Sequence, residues 1–260
     1  MSPSLHQTIK LKLANLQKAS LYRELRELRV LKDPLVTIDG NEVLNFSSND
    51  YLGLAQNPLI IGKTMEGIKK YGVGAGASRL ISGNQEYHTK LESELARFKR
   101  KEKALLFGSG YLANIALLST LPGPRDLVLS DTLNHASIID GSRLSRATIV
   151  TYPHVDTNWL DSFLKKERDK YQQVFIITDS VFSMDGDLIP LPDLYQITST
   201  YDAVLILDEA HATGVLGDEG RGIEDYYKVH YPDVIIMGTL GKALGSYGAF
   251  VCAQKEIIDY

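Results

Sequence analysis

Lys242 stands in the string GTLGKALGSYGAF (238–250), beside a glycine and just past the apolar run VIIM (234–237). A lysine held partly away from water loses solvation of its ammonium, so its pKa falls and a neutral amine becomes available near pH 7. Such an amine attacks carbonyl carbons or takes protons as a general base. Taken alone, the same lysine reads more readily as a solvated surface residue, and its upstream company changes that. Upstream, LILDEAH (205–211) ends an apolar run in Asp208, with His211 three positions on.

Two chemistries place an acid at such a strand end. In one, a buried Asp208 faces the ring nitrogen of a pyridoxal cofactor and keeps it protonated, so that the ring can withdraw electrons from a carbanion. In the other, the string is the DEAH box of a helicase-like ATPase and the acid binds magnesium. That second chemistry requires a phosphate loop, G-x-x-x-x-G-K-[ST]. Gly62, Lys63 and Thr64 supply its end, but Asn57 stands where its first glycine belongs, and Pro58 follows. The stiff PLII segment is no phosphate cradle, and the ATPase reading lacks its essential part.

The remaining candidates carry two readings each. Gly110 and Tyr111 follow the apolar run ALLF (104–107) and open a helical pattern. Free amides at a helix start attract a phosphate, and glycine permits its close approach, but an ordinary strand-to-helix turn looks the same. His135, in NHASIID, is either a site residue or a structural histidine. Ser183, in VFSMDGD, is a site residue, a turn residue or an N-cap. The glycines of GVGAGA (72–77) fit a loose dinucleotide fingerprint but follow the helical stretch MEGIKKY. Without a preceding strand they read as a turn packed closely against another backbone.

The elements that must position these residues form a rhythm. Residues 4–30 carry leucines at helical spacing among Lys, Arg and Glu, which predicts one amphipathic helix. LVTIDGNEVLNF (35–46) alternates around Asp39 and Gly40, the pattern of a hairpin. Seven short apolar runs then recur at 104–107, 127–129, 148–151, 174–178, 203–207, 234–237 and 249–251, separated by turns and helical patterns. Apolar on both faces, they predict an α/β fold with a seven-stranded, mostly parallel sheet flanked by helices. Ligands in such sheets sit outside the carboxyl ends of the strands. Gly108–Tyr111, Ser130 and Asp131, Asp179 and Ser180, Asp208–His211 and Gly238–Lys242 all fall there.

Composition narrows the class. The chain has 260 residues, 44% hydrophobic, with a formal charge of −4, which disfavours a general nucleic-acid binder. The basic run RFKRKEK (97–103) reads as the solvated end of a helix. One cysteine, Cys252, in the apolar string AFVCA, excludes an internal disulfide and reads as a small core residue. No apolar stretch reaches a membrane span, and the N-terminus lacks the marks of a secretory signal, so the expected location is cytoplasmic. No metal site is expected.

Seven strings, in order, carry a resemblance: SSNDYLGL (47–54), GAGASRLISGNQEYHTKLESELA (74–96), FGSGYLAN (107–114), NHASIIDG (134–141), TDSVFSMDGD (178–187), LDEAHATGVLGDEGRG (207–222) and GTLGKALGSYGAF (238–250). Together they resemble the α-oxoamine synthases, pyridoxal-phosphate enzymes of the aspartate-aminotransferase-like fold (fold type I), over nearly the whole chain. Gly110 and SGYLAN resemble most the branch that condenses L-alanine with a pimeloyl thioester in biotin biosynthesis; glycine-using relatives usually carry a cysteine there. A glycine- or serine-using synthase is the neighbouring alternative.

The resemblance implies roles. Lys242 bears the pyridoxal 5'-phosphate and moves protons at the substrate's α-carbon, Asp208 pairs with the ring nitrogen, and His135 stacks on the ring. His211 and Ser183 reach its phenolic oxygen. Gly110, Tyr111 and Thr239 hold its phosphate, Thr239 from the same chain or a partner subunit. Arg23, in the N-terminal helix, meets the acyl substrate, and Asn49 neighbours the site. It also implies a homodimer with a shared active site, and a thioester of coenzyme A or of an acyl carrier protein. Residues 1–45 are expected to form an N-terminal helix and hairpin, and residues 46–260 the cofactor-binding large domain. Family chains continue into a smaller C-terminal domain, whereas this one stops at QKEIIDY, so the expectation is an incomplete protein. A catalytically silent fragment that acts as a dimerisation or regulatory partner is the reading from another class.

Overall fold

The computed structural model describes residues 3–32 and 34–260. The chain divides into two compact units, Met1–Ser48 and Asn49–Tyr260.

In the first unit, helix α1 (Leu5–Lys18) starts in a capping box, with the Ser4 side chain accepting from the Gln7 amide and the Gln7 side chain accepting from the Ser4 amide. The helix expected to reach residue 30 stops at Lys18. Ser20 adopts a left-handed φ of 55°, its amide bonds to Gln17, and the Leu21 amide reaches back to Leu16 at 2.9 Å. That is a Schellman stop built on serine in place of glycine, which leaves little trace in the sequence. The rest of the segment enters a three-stranded antiparallel sheet, β1 (Leu28–Lys32), β2 (Leu35–Ile38) and β3 (Asn41–Leu44). Asp39 and Gly40, both at positive φ, make the expected hairpin turn between β2 and β3.

The second unit holds α2 (Pro58–Tyr71), α3 (Glu86–Lys99) and a seven-stranded sheet. All seven apolar runs are its strands: β4 (Lys103–Phe107), β5 (Leu127–Asp131), β6 (Thr148–Tyr152), β7 (Val174–Asp179), β8 (Val204–Asp208), β9 (Ile235–Thr239) and β10 (Ala249–Ala253). Their spatial order is β4-β10-β9-β8-β7-β5-β6. β10 runs antiparallel to both neighbours and the other pairings are parallel. Alternate side chains go to opposite faces. On one face Val128, Phe175, Ile177, Ile206 and Met237 pack under α4 (Gly110–Thr120) and α5 (Ala136–Leu144). On the other, Leu129, Ile176, Leu205, Leu207 and Ile236 meet α6 (Thr157–Glu167) and α7 (Leu191–Tyr201). Cys252 is a fully buried core residue beside Leu95 and Phe250, as its setting suggests.

Two local expectations are corrected. The run at 97–103 is not uniformly solvated, because Lys99 and Lys101 are buried. The Lys99 amine meets Glu209 and the hydroxyl of Thr213, and Lys101 meets Glu224 at 3.0 Å. Ion pairing across the fold pulls two lysines inward from a string that looks solvated. The glycines at 72–76 do not pack against another backbone: a Cβ added at Gly72, Gly74 or Gly76 would meet nothing within 4 Å. Gly72 instead caps α2 at a φ of 80°. Gly62, Lys63 and Thr64 lie inside α2, whose amides are spent on its own carbonyls, so no phosphate loop forms.

Candidate active site

The carboxyl ends of β5, β7, β8 and β9, with the start of α4, surround a cavity of about 320 Å³. Gly110, Tyr111, His135, Ser183, Asp208, His211, Thr239 and Lys242 all line it. These eight residues come from stretches far apart in sequence and meet because parallel strands end on one edge of the sheet.

Asp208 is buried at the floor. One carboxylate oxygen accepts from the Ala210 amide at 2.9 Å and the other from the Asn114 side chain at 2.8 Å. Burial pushes its pKa up, while those donors and the nearby Lys242 charge pull it back. Asn114 also donates to the hydroxyl of Ser137, which bonds in turn to Nδ1 of His135 at 2.7 Å. One amide therefore orients both the acid and the imidazole. His135 caps α5, and its ring faces outward over the cavity.

Lys242 is half-buried, and loss of solvation holds its amine below the ordinary lysine pKa against the pull of Asp208 and Asp179. Its Nζ lies 2.7 Å from Nε2 of His211. Burial first, then the charges of Lys242 and His135, lower the pKa of His211 to about 4. The imidazole is therefore neutral at pH 7.

Gly110 opens α4 behind the N-cap Ser109, whose hydroxyl accepts from the Leu112 amide. The amides of Gly110 and Tyr111 have no carbonyl within the helix to meet. A Cβ at Gly110 would come 2.8 Å from the methyl of Thr239, so only glycine fits this approach of helix to strand end. The Tyr111 phenol is held by Asp140 at 2.7 Å. Ser183 is exposed at the cavity mouth.

Two expected residues are not among those lining the cavity. Asn49 does not line the cavity but accepts at 3.2 Å from the Tyr51 phenol, which touches His211. Arg23 is exposed in the first unit and lies past the end of α1, outside the helix expected to carry it.

Asp179, Asn114, Ser137 and Tyr51 are polar residues at or next to the cavity lining to which the sequence assigns no role. Asp179 had a signal, since it ends the strand beside that of Asp208. Asn114 had one too, four residues beyond Gly110 and on the same helix face. Ser137 and Tyr51 had none beyond their motifs.

These residues fit a pyridoxal phosphate. An amine with lowered pKa and a buried carboxylate face one cavity, and a glycine-cleared helix start offers free amides to an anion.

The model of the aminotransferase class I and II family matches residues 41–260. An 8-amino-7-oxononanoate synthase of Thermoanaerobacter pseudethanolicus is 48% identical over 252 residues, which cover 97% of this chain and 64% of the relative. Among solved structures, a serine palmitoyltransferase from S. paucimobilis with a bound PLP–myriocin aldimine superposes with a TM-score of 0.87 at 27% identity, covering 96% of this chain and 64% of that one. The 8-amino-7-oxononanoate synthase of Francisella tularensis superposes with a TM-score of 0.69 at 35% identity, covering 83% of this chain and 59% of that one. The chain thus spans less than two thirds of the length of these relatives. The motif resemblance and the fold class read from the sequence are both borne out. Among the described residues, no helix is long and apolar enough to cross a membrane.

Proposed function

From the premise that this chain belongs to the aminotransferase class I and II family, we propose that it binds pyridoxal 5'-phosphate on Lys242 and carries the decarboxylative condensation of L-alanine with a pimeloyl thioester, giving 8-amino-7-oxononanoate. The observation that carries this reading is the meeting of Lys242, Asp208 and His135 at one cavity beside the free amides of α4. The bound cofactor supplies an electron sink for a carbanion at the amino acid's α-carbon.

The chain's residues do the rest. Asp208 keeps a proton on the ring nitrogen, and its two N–H donors keep that carboxylate aimed. His135, fixed by Ser137, covers one face of the ring. Gly110, Tyr111 and Thr239 hold the phosphate, and His211 with Ser183 faces the phenolic oxygen. Lys242 removes and returns the α-proton, a task that needs an amine neutral near the working pH. Arg23 and Asn49 take the acyl substrate, a thioester of coenzyme A or a carrier protein. A homodimer sharing this site is supported by the exposure of large apolar side chains such as Leu59, Val73, Leu80 and Ile81, which a second copy would cover.

The experiment is borohydride reduction of the chain with pyridoxal phosphate, followed by peptide mapping. The label is expected on Lys242 and absent from Lys242→Ala; a label elsewhere overturns the reading. Alanine, glycine and serine are then compared for thiol release from pimeloyl thioester, with alanine expected to lead.

A further inference from the structure

The Lys242–His211 contact continues away from the cavity. Nδ1 of His211 lies 2.7 Å from the hydroxyl of Tyr51, and that hydroxyl donates to Oδ1 of Asn49 at 3.2 Å. A phenol has one hydrogen. With that hydrogen on Asn49, the phenol oxygen can only accept from His211, so the imidazole proton sits on Nδ1. Nε2 is then a bare lone pair, and the 2.7 Å contact with Lys242 is a bond donated by the amine. Burial raises the Tyr51 pKa, which keeps the phenol protonated for this role.

We propose that Tyr51 is a positioning residue for Lys242: by accepting the Nδ1 proton it locks His211 in the tautomer whose Nε2 receives the lysine amine. The functional importance of this lock rests on the reading of Lys242 as the reactive amine; the tautomer itself does not. The lock has a consequence for proton transfer. An acceptor at Nε2 engages one N–H of the amine and favours its protonated form. The opposite tautomer would donate to the neutral amine and favour that instead. Burial opposes the charge on the amine, whereas Asp208 and Asp179 nearby also favour it. His211 additionally faces the charge of His135. Tyr51 therefore acts on the amine only through His211, from a position that is not itself part of the cavity lining.

The test uses the 260-residue chain without cofactor, labelled with 15N-histidine, the His211 signals being assigned by their loss in His211→Asn. The wild type is expected to show a protonated Nδ1 and a bare Nε2. Tyr51→Phe removes the acceptor, and Asn49→Ala frees the phenol hydrogen to donate to Nδ1, so both are expected to populate the Nε2–H form. Tyr51 is 44% exposed, so its conversion to Phe leaves the fold intact. The pH midpoint for borohydride-trapped pyridoxal phosphate on Lys242 is expected to fall by roughly 0.5 unit in both variants. A wild type protonated at Nε2, or an unchanged tautomer in both variants, overturns the proposal. Failure of wild-type Lys242 to take the label overturns the cofactor reading alone, because the tautomer is measured without cofactor.

Discussion

Asp179 and Asp208 stand opposite each other in register at the ends of β7 and β8, so two carboxyl groups share one buried floor. Burial and the Asp208 charge both push the Asp179 pKa up, and the His135 amide donates to its carboxyl at 2.8 Å. Asp208 has two donors, the Ala210 amide and the Asn114 side chain, which suits it to keep the negative charge. The two acids are therefore expected to respond oppositely to amidation. Asp208→Asn should fold and bind pyridoxal phosphate but lose deuterium exchange at alanine Cα by at least about 100-fold. Asp179→Asn should stabilise the chain by on the order of 1–2 kcal/mol at pH 8. The sign follows from a folded-state pKa above the unfolded one. Native Asp179 keeps a proton that the unfolded chain releases, so its contribution to stability declines as pH rises from about 4, the unfolded carboxyl value, to the raised folded value. Urea midpoints of both proteins at pH 4 and pH 8 check this, the gain being expected to grow with pH.

Gly110 and Thr239 bring helix and strand end together with no room for a methyl group. Gly110→Ala is expected to cost about 1–3 kcal/mol from overpacking and to weaken pyridoxal phosphate binding roughly tenfold. Adding Thr239→Ser removes the opposing methyl and should recover part of both losses. Urea unfolding and a cofactor titration read the two effects separately.

The depressed pKa of His211 predicts an acid limb. Between its unfolded value of 6.5 and its folded value of about 4, the unfolded chain binds a proton that the native chain refuses. This contribution to stability is present above pH 6.5 and is lost as pH falls through that window. His211→Asn removes the window, so wild type should lose more stability than the variant between pH 7 and pH 4. Urea midpoints across that range provide the measurement.

Lys99 and Glu209 form a fully buried ion pair, tied further by the Ile223 amide donating to Glu209 at 2.9 Å. Because Glu209 adjoins Asp208, the pair braces the turn that carries His211. Lys99→Met is expected to destabilise the fold by about 3–5 kcal/mol, because it strands a buried carboxylate. Lys99→Met with Glu209→Gln should recover most of that loss. A double-mutant cycle in urea separates this from additive packing losses.

Much of this was legible in the amino-acid order. Strands β5, β7, β8 and β9 are short runs rich in Val, Ile and Leu, because a strand buried on both faces has no polar alternation to hide it. Lys242, Asp208, His135 and Gly110 sit in strings at strand ends, and a parallel sheet gathers those ends on one edge. The stop of α1 escaped notice because Ser20 makes a left-handed turn usually given to glycine. Lys99 and Lys101 carry no local mark of burial, because alternating charge looks solvated until a partner over 100 residues away is known.

Local pattern alone thus determined the sheet, its site-bearing edge and the residue types that face it, since hydrophobic periodicity and turn chemistry act within a few residues. The tertiary structure decided what distance in the chain conceals: that Asn114 orients Asp208 and His135 together, that Asp179 shares the floor, and that Tyr51 reaches His211 across 160 positions. Hydrogen-bond direction and charge balance depend on where groups meet in space, and sequence spacing does not encode that meeting.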